Sequence, residues 1–206
     1  MNLINEIESL KKSKIKNLVN KRIREFKNIN KNSSDELFKE MCFCILTANF
    51  NAEKTMKIQD EIGGCFLTES EGKLAKKLKN FGHRYPNTRA KYISDSVENK
   101  DSLKDIINSS NDEDLREWIV KNIRGLGYKE TSHFLRNIGF DNYAIIDFHI
   151  IDILVNHNLI KRPKNLSKIK YLEIENTLRD LAKKTNLTLA ELDLYLWYIE
   201  TGKILK

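Results

Sequence analysis

A lysine beside a glycine turn, and an aspartate further along, are the residues of this chain best suited to covalent chemistry. Lys129 closes the run Arg124-Gly125-Leu126-Gly127-Tyr128-Lys129, and Asp147 follows the apolar stretch Tyr143-Ala144-Ile145-Ile146. Two glycines flank one apolar residue between two segments of helical periodicity. Glycines permit left-handed angles and close approach. The N–H groups of such a turn and of the next helix start can together hold a phosphate oxygen. Lys129 falls in the first turn of that next helix. The helix field there opposes an ammonium and favours the neutral amine that a Schiff-base nucleophile needs. Asp147 stands where a helix N-cap belongs, which orients a carboxylate and keeps it ionised. It can stabilise positive charge developing at a sugar carbon, or help take a proton from the attacking amine. Read singly, the turn is an ordinary helix connection, the lysine a solvated side chain and the aspartate a cap. Their combination is what points to chemistry.

The elements that must position this pair read almost entirely as helices. Ser33 to Glu36 has the form of a capping box. The helix after it repeats Leu37, Met41 and Ile45 on one face, with Phe38, Cys42 and Leu46 beside them. A helix over 51–62 stops at Gly63-Gly64, and a lysine-rich one over 69–80 stops at Phe81-Gly82. Asn87 is expected to cap the helix that holds Arg89, Lys91 and Tyr92. Asn111 and Asp114 form a looser capping pair before Leu115, Trp118, Ile119 and Ile123. Lys129 to Ile138 forms the next helix, with Gly139 as its stop. The segment 143–146 is extended, and Asp147 caps a helix with Ile150, Ile151 and Leu154. A long helix spans about 166–184. Thr188 and Glu191 box a last helix ending at Gly202. Ten or so short helices with tight connections describe an all-α fold.

Composition narrows the classes. The chain has 206 residues, 40% hydrophobic and 32% charged, with a net charge of +7. That balance fits a globular chain with a moderate preference for polyanions. No apolar run approaches a membrane span, and the N-terminus has no signal-peptide layout, so a cytoplasmic location is expected. Cys42, Cys44 and Cys65 are an odd set and are expected as reduced thiols. Cys42 and Cys44 cannot face the same way on a helix, and His149 and His157 fall on neighbouring faces without a zinc spacing. No metal site is expected.

The run 123–129 with Ile145-Ile146-Asp147 resembles the helix-hairpin-helix DNA glycosylase superfamily. Its members share a hairpin, a segment rich in Gly and Pro, and a catalytic Asp. This chain departs in having Gly139 but no proline between hairpin and Asp147. Lysine at 129 resembles the members that combine glycosylase and lyase activity. The resemblance implies that Lys129 attacks the sugar C1′, expels the base and forms an imine, after which β-elimination breaks the strand. Asp147 matches the catalytic Asp. The segment 82–93, the small size and a lysine soon after the last helix are similar to the archaeal-type 8-oxoguanine DNA glycosylase/lyase family. The branch of the superfamily with an iron–sulfur cluster carries four cysteines near the C-terminus, and none here follows Cys65.

A flipped base needs an aromatic face and polar groups at its edge. Asp193 and Trp197 share one face of the last helix. The indole can stack on a purine, and the carboxylate can accept from ring N–H groups. Oxidation at C8 puts a hydrogen on N7, so an acceptor there separates the lesion from guanine. The terminal carboxylate of Lys206 can serve similarly, and the resemblance ties that lysine to substrate recognition. Core packing is the plainer reading for Trp197. Asn49-Phe50 looks like a loop that fills the gap in the duplex, Phe50 as wedge and Asn49 facing the orphaned base. Tyr85 is a further stacking candidate. Arg84, Arg89 and Lys91, with Gly125, Leu126 and Gly127, are candidate DNA contacts.

The expected architecture is one two-lobed helix-hairpin-helix DNA glycosylase domain over 1–206, all-α, with the hairpin at about 113–139. The expected activity is excision of 8-oxoguanine from duplex DNA followed by cleavage of the abasic site. Expected too are a monomer, no organic cofactor, and turn carbonyls able to coordinate a monovalent cation beside a phosphate. The same chemistry on oxidised pyrimidines, or a non-catalytic DNA-binding module, are the alternatives.

Overall fold

The computed structural model describes residues 2–29 and 33–206. Its helices are α1 (Leu3–Lys11), α2 (Ile15–Ile29), α3 (Ser34–Thr47), α4 (Ala52–Ile62), α5 (Cys65–Thr68), α6 (Glu71–Asn80) and α7 (Pro86–Ser96). After a 3-10 turn at Val97–Asn99 come α8 (Lys100–Ser109), α9 (Asp112–Asn122), α10 (Tyr128–Asn137), α11 (Phe148–Asn156), α12 (Lys168–Thr185) and α13 (Leu189–Thr201). Among the described residues there is no strand, and no helix is long and apolar enough to cross a membrane.

Most of the expected caps hold. Asn111 accepts from the Asp114 N–H and Asp147 from Ile150, and Thr188 with Glu191 forms a reciprocal box. Ser33 accepts from the Glu36 N–H, while the Glu36 carboxylate accepts from Lys39. One differs. Asn87 does not cap α7, which begins at Pro86 with Tyr85 as its N-cap. Proline's fixed φ suits the first helical position, where a missing N–H costs nothing, so the helix starts one residue before the asparagine.

The chain divides into two compact units. One comprises Met1–Asn28 and Leu135–Lys206, the other Ile29–Phe134. The first packs α1, α11, α12 and α13 together, and its core includes Ile15, Val19 and Phe26 of α2 against Leu194 and Tyr195 of α13. The second is built around α3, which touches α4, α5, α7 and α8. Its residues 40–47 are buried on every face, not on one stripe, as befits a central helix. Burial pushes the Cys42 thiol well above its usual 9.0, with Cys44 and Glu40 adding to the shift. Cys42 is therefore a core residue.

Candidate active site

In the 29–134 unit the hairpin joins α9 to α10. The two glycines have different constraints. Gly125 has φ +94°, and a Cβ there would lie 2.4 Å from Cδ2 of Tyr92. Gly127 has no positive φ, and the nearest neighbour of a Cβ would be Glu130 Oε2 at 3.4 Å. Leu126 is buried, and its N–H donates to the Ile123 carbonyl at 3.3 Å. One N–H of the turn is thus already used internally, which leaves less of the turn for a phosphate than the sequence suggested. The Gly127 carbonyl accepts from Thr131 N–H at 2.9 Å and opens α10. Beneath Gly125, the Tyr92 ring lies 5.2 Å from the Arg124 guanidinium and 5.7 Å from that of Arg89. The Tyr128 hydroxyl donates to Glu117, and Arg116 lies over the Tyr128 ring at 5.2 Å. These contacts stitch α9 to the first turn of α10, where Lys129 is one quarter exposed with its Nζ 3.8 Å from Glu130 Oε1.

The α3–α4 connection belongs to the same unit. Asn49 is exposed with φ +58°, a left-handed angle that asparagine tolerates better than most residues. The carbonyl before it, on Ala48, accepts from Arg89 Nη2 at 2.7 Å. Arg89, expected at phosphate, is a buried side chain that ties α7 to this loop. It lines, with Asn49, Tyr92 and residues 120–127, one polar groove. Phe50 rests on the His83 ring, centroids 4.2 Å apart. His83 in turn donates through Nε2 to the Leu46 carbonyl at 2.9 Å and accepts at Nδ1 from the Tyr85 N–H. Tyr85 and Arg84 are exposed and stacked on each other, while Lys91 is exposed and 3.8 Å from Asp95.

The other unit holds the remaining candidates. Asp147 caps α11 through Oδ1, which accepts from Ile150 N–H at 3.0 Å. His149, the second residue of α11, meets Trp197 edge-on at 5.2 Å and Glu200 at 3.3 Å. Trp197 is half-buried, and its indole Nε1 is buried with no hydrogen-bond partner. Asp193 is not a solvated side chain: Oδ2 accepts from the buried Arg136 at 2.9 Å. Lys206 is half-buried. Among the described residues, no three His, Cys, Asp or Glu side chains are placed to hold a metal ion.

A model of the 8-oxoguanine DNA glycosylase family matches residues 19–187. The chain belongs to this family. It is 55% identical, over the full length of both chains, to the 8-oxoguanine DNA glycosylase/AP lyase of Methanocaldococcus jannaschii. It is 50% identical to that of Korarchaeum cryptofilum over 99% of this chain and 98% of the other. Among solved structures it is similar to the M. jannaschii glycosylase/lyase in complex with a 15mer DNA containing 8-oxoguanine. That match has a TM-score of 0.96 and 53% identity, covering 99% of each chain. The Thermotoga maritima 8-oxoguanine DNA glycosylase gives a TM-score of 0.94 at 39% identity, over 99% of this chain and 98% of the other. The all-α helix-hairpin-helix glycosylase fold of the family is the fold of this chain.

Sequence reasoning missed the residues that support several of the candidate positions. Tyr92 was legible only as a helix residue, because its packing on Gly125 is a long-range contact. His83 and Arg136 carried no periodicity signal of their own. Both are polar residues buried inside helical or turn segments, and a buried polar group needs a partner.

Proposed function

We propose that this chain removes 8-oxoguanine from duplex DNA and then cleaves the abasic strand, with Lys129 as nucleophile and Asp147 as its carboxylate partner. The observation that carries the reading is membership of the 8-oxoguanine glycosylase family with a lysine standing just past the hairpin turn. The M. jannaschii, Korarchaeum and Thermotoga relatives bear the glycosylase/AP lyase name. In this scheme Nζ of Lys129 attacks C1′ and the bond to the base breaks, the base leaving with the electron pair and taking a proton. The C1′–O4′ bond then breaks, O4′ leaving as a hydroxyl with a proton, and the Lys129 nitrogen forms an imine with C1′. Loss of a C2′ proton then expels the 3′ phosphate oxygen. Asp147, fixed by its own cap, stabilises the cationic sugar and assists proton removal from the amine.

The two units act in this reading as lobes of one domain over 1–206, working as a monomer in the cytoplasm. Gly125 and Gly127 anchor phosphate through their backbone N–H groups, with Leu126, whose own N–H is bonded to Ile123, buried between them. Asn49 and Phe50 fill the gap in the duplex, and Arg84 and Lys91 meet the strand. Tyr85, Trp197, Asp193 and Lys206 receive the base. Support comes from the exposure of Tyr85 and Arg84, and from the unpartnered indole N–H of Trp197.

Borohydride trapping on a duplex with one 8-oxoguanine tests the scheme. The wild type is expected to give a covalent adduct and Lys129→Gln none, with DNA affinity retained. No adduct from either, with binding intact, would overturn the Schiff-base step.

A further inference from the structure

The segment that delivers Asp147 is extended and buried, yet it has no strand beside it. Residues 143–146 are all buried. Buried backbone groups must find partners, and for an extended chain these are ordinarily another strand. Here three of them, the N–H and carbonyl of Ala144 and the N–H of Ile146, are met by side chains of α12. The Tyr171 hydroxyl donates to the Ala144 carbonyl at 2.6 Å and accepts from the Ile146 N–H at 3.3 Å. Glu175 Oε1 accepts from the Ala144 N–H at 2.9 Å. Arg179 Nη2 donates to the Asn142 carbonyl at 2.6 Å and lies 3.6 Å from Glu175 Oε2.

The spacing is regular. Tyr171, Glu175 and Arg179 follow one another at i, i+4 and i+8 on one face of the helix. Four helical residues rise about 6 Å. Two extended residues span about 6.6 Å. Successive side chains therefore meet alternate residues of the segment, running antiparallel to it: Arg179 at Asn142, Glu175 at Ala144, Tyr171 at Ala144 and Ile146. We propose that Tyr171, Glu175 and Arg179 are positioning residues that stand in for a neighbouring strand and thereby set the Asp147 carboxylate for the reaction. Tyr171 and Glu175 are both nearly inaccessible, so water cannot replace them. In place of a proline to stiffen the approach to Asp147, this chain has a ladder of side chains. None of the three touches the reacting atoms.

The inference rests on Asp147 acting in the proposed excision, and its test separates the two. Single-turnover release of 8-oxoguanine, DNA affinity and amide exchange at Ala144 and Ile146 are measured for the wild type and four variants. Tyr171→Phe is expected to slow base release roughly tenfold or more, since small misplacements of a catalytic group are costly. DNA affinity should stay within about twofold, and the Ile146 amide should exchange faster. Glu175→Ala should slow release likewise, and Glu175→Gln should restore most of the loss, because its amide oxygen still accepts from Ala144. Thr185→Val removes a buried hydroxyl bond elsewhere on α12, to Leu181. It should lower the melting temperature and leave release unchanged. Should Tyr171→Phe fail to fold, Arg179→Met at the exposed end of the ladder is read in its place. Unchanged release in the ladder variants would overturn the proposal. A wild type that excises no 8-oxoguanine would overturn the proposed function instead. The exchange arm would still decide the ladder, because unaltered Ile146 protection in Tyr171→Phe overturns it.

Discussion

Gly125 is held to glycine by two separate demands. Its φ of +94° disfavours any side chain, and the ring of Tyr92 occupies the place a Cβ would take. Gly125→Ala is expected to cost about 2 kcal/mol or more. Adding Tyr92→Ala should recover the steric share and leave the backbone share, a non-additive pair. Urea midpoints of the two single variants and the double variant check this. Gly127→Ala, in contrast, meets only a flexible carboxylate and should cost far less. The sequence motif treats these glycines alike. Local pattern cannot distinguish them, because the difference lies in what packs beneath from α7. The helix-start positions of Lys129 and Asp147 were legible, because turn and cap chemistry announce them. Asp193 shows the opposite case. Its i, i+4 relation to Trp197 was legible, but its ion pair with Arg136 joins residues far apart in the chain and leaves no local trace.

At the scale of elements, α7 does more than its sequence suggests. Arg89 holds the carbonyl before Asn49, Tyr92 supports the hairpin, and His83 just ahead of the helix supports Phe50. Burial holds the His83 imidazole below its usual 6.5. The bond to the Leu46 carbonyl opposes that shift and the Arg89 charge adds to it. A histidine depressed in the fold contributes fully above the unfolded value of about 6.5. As pH falls below that value, the unfolded chain takes a proton that the folded chain refuses. Stability then declines until the folded ring also protonates. Denaturant midpoints between pH 7 and pH 5 should therefore fall more steeply for the wild type than for His83→Gln. The carboxylates of Asp35, beside Lys100, and Glu69, beside Lys77, are also held low, but their windows open at more acid pH. Helix ends were largely legible, since capping residues act within one turn. The start of α7 was not, because proline and asparagine compete for one boundary and the proline prevails.

The whole molecule carries +7, and its DNA affinity should carry the signature of that charge. Counterion release predicts a linear fall of log affinity with log salt. Between 50 and 200 mM salt the affinity for an undamaged duplex is expected to drop by more than about tenfold. Fluorescence anisotropy across that range checks it, and a flat response would mean that the basic surface does not meet phosphate. Composition made this expectation available without any structure. Two lobes were expected from the sequence, but the place where one gives way to the other was not legible, because one unit joins two stretches far apart in the chain.

That division has a consequence for how the protein is made. The chain leaves one unit after Asn28 and returns to it only at Leu135. Val19 and Phe26 of α2 are synthesised well before the residues that cover them, Leu194 and Tyr195 of α13. As the nascent chain emerges, the 29–134 unit can fold as a continuous stretch while the amphipathic faces of α1 and α2 remain open. Their burial waits until α13 has cleared the ribosome exit tunnel. Helices α1 and α2 are thus finished after segments that follow them in the chain, and their apolar stripe stays open to cellular folding factors for that interval.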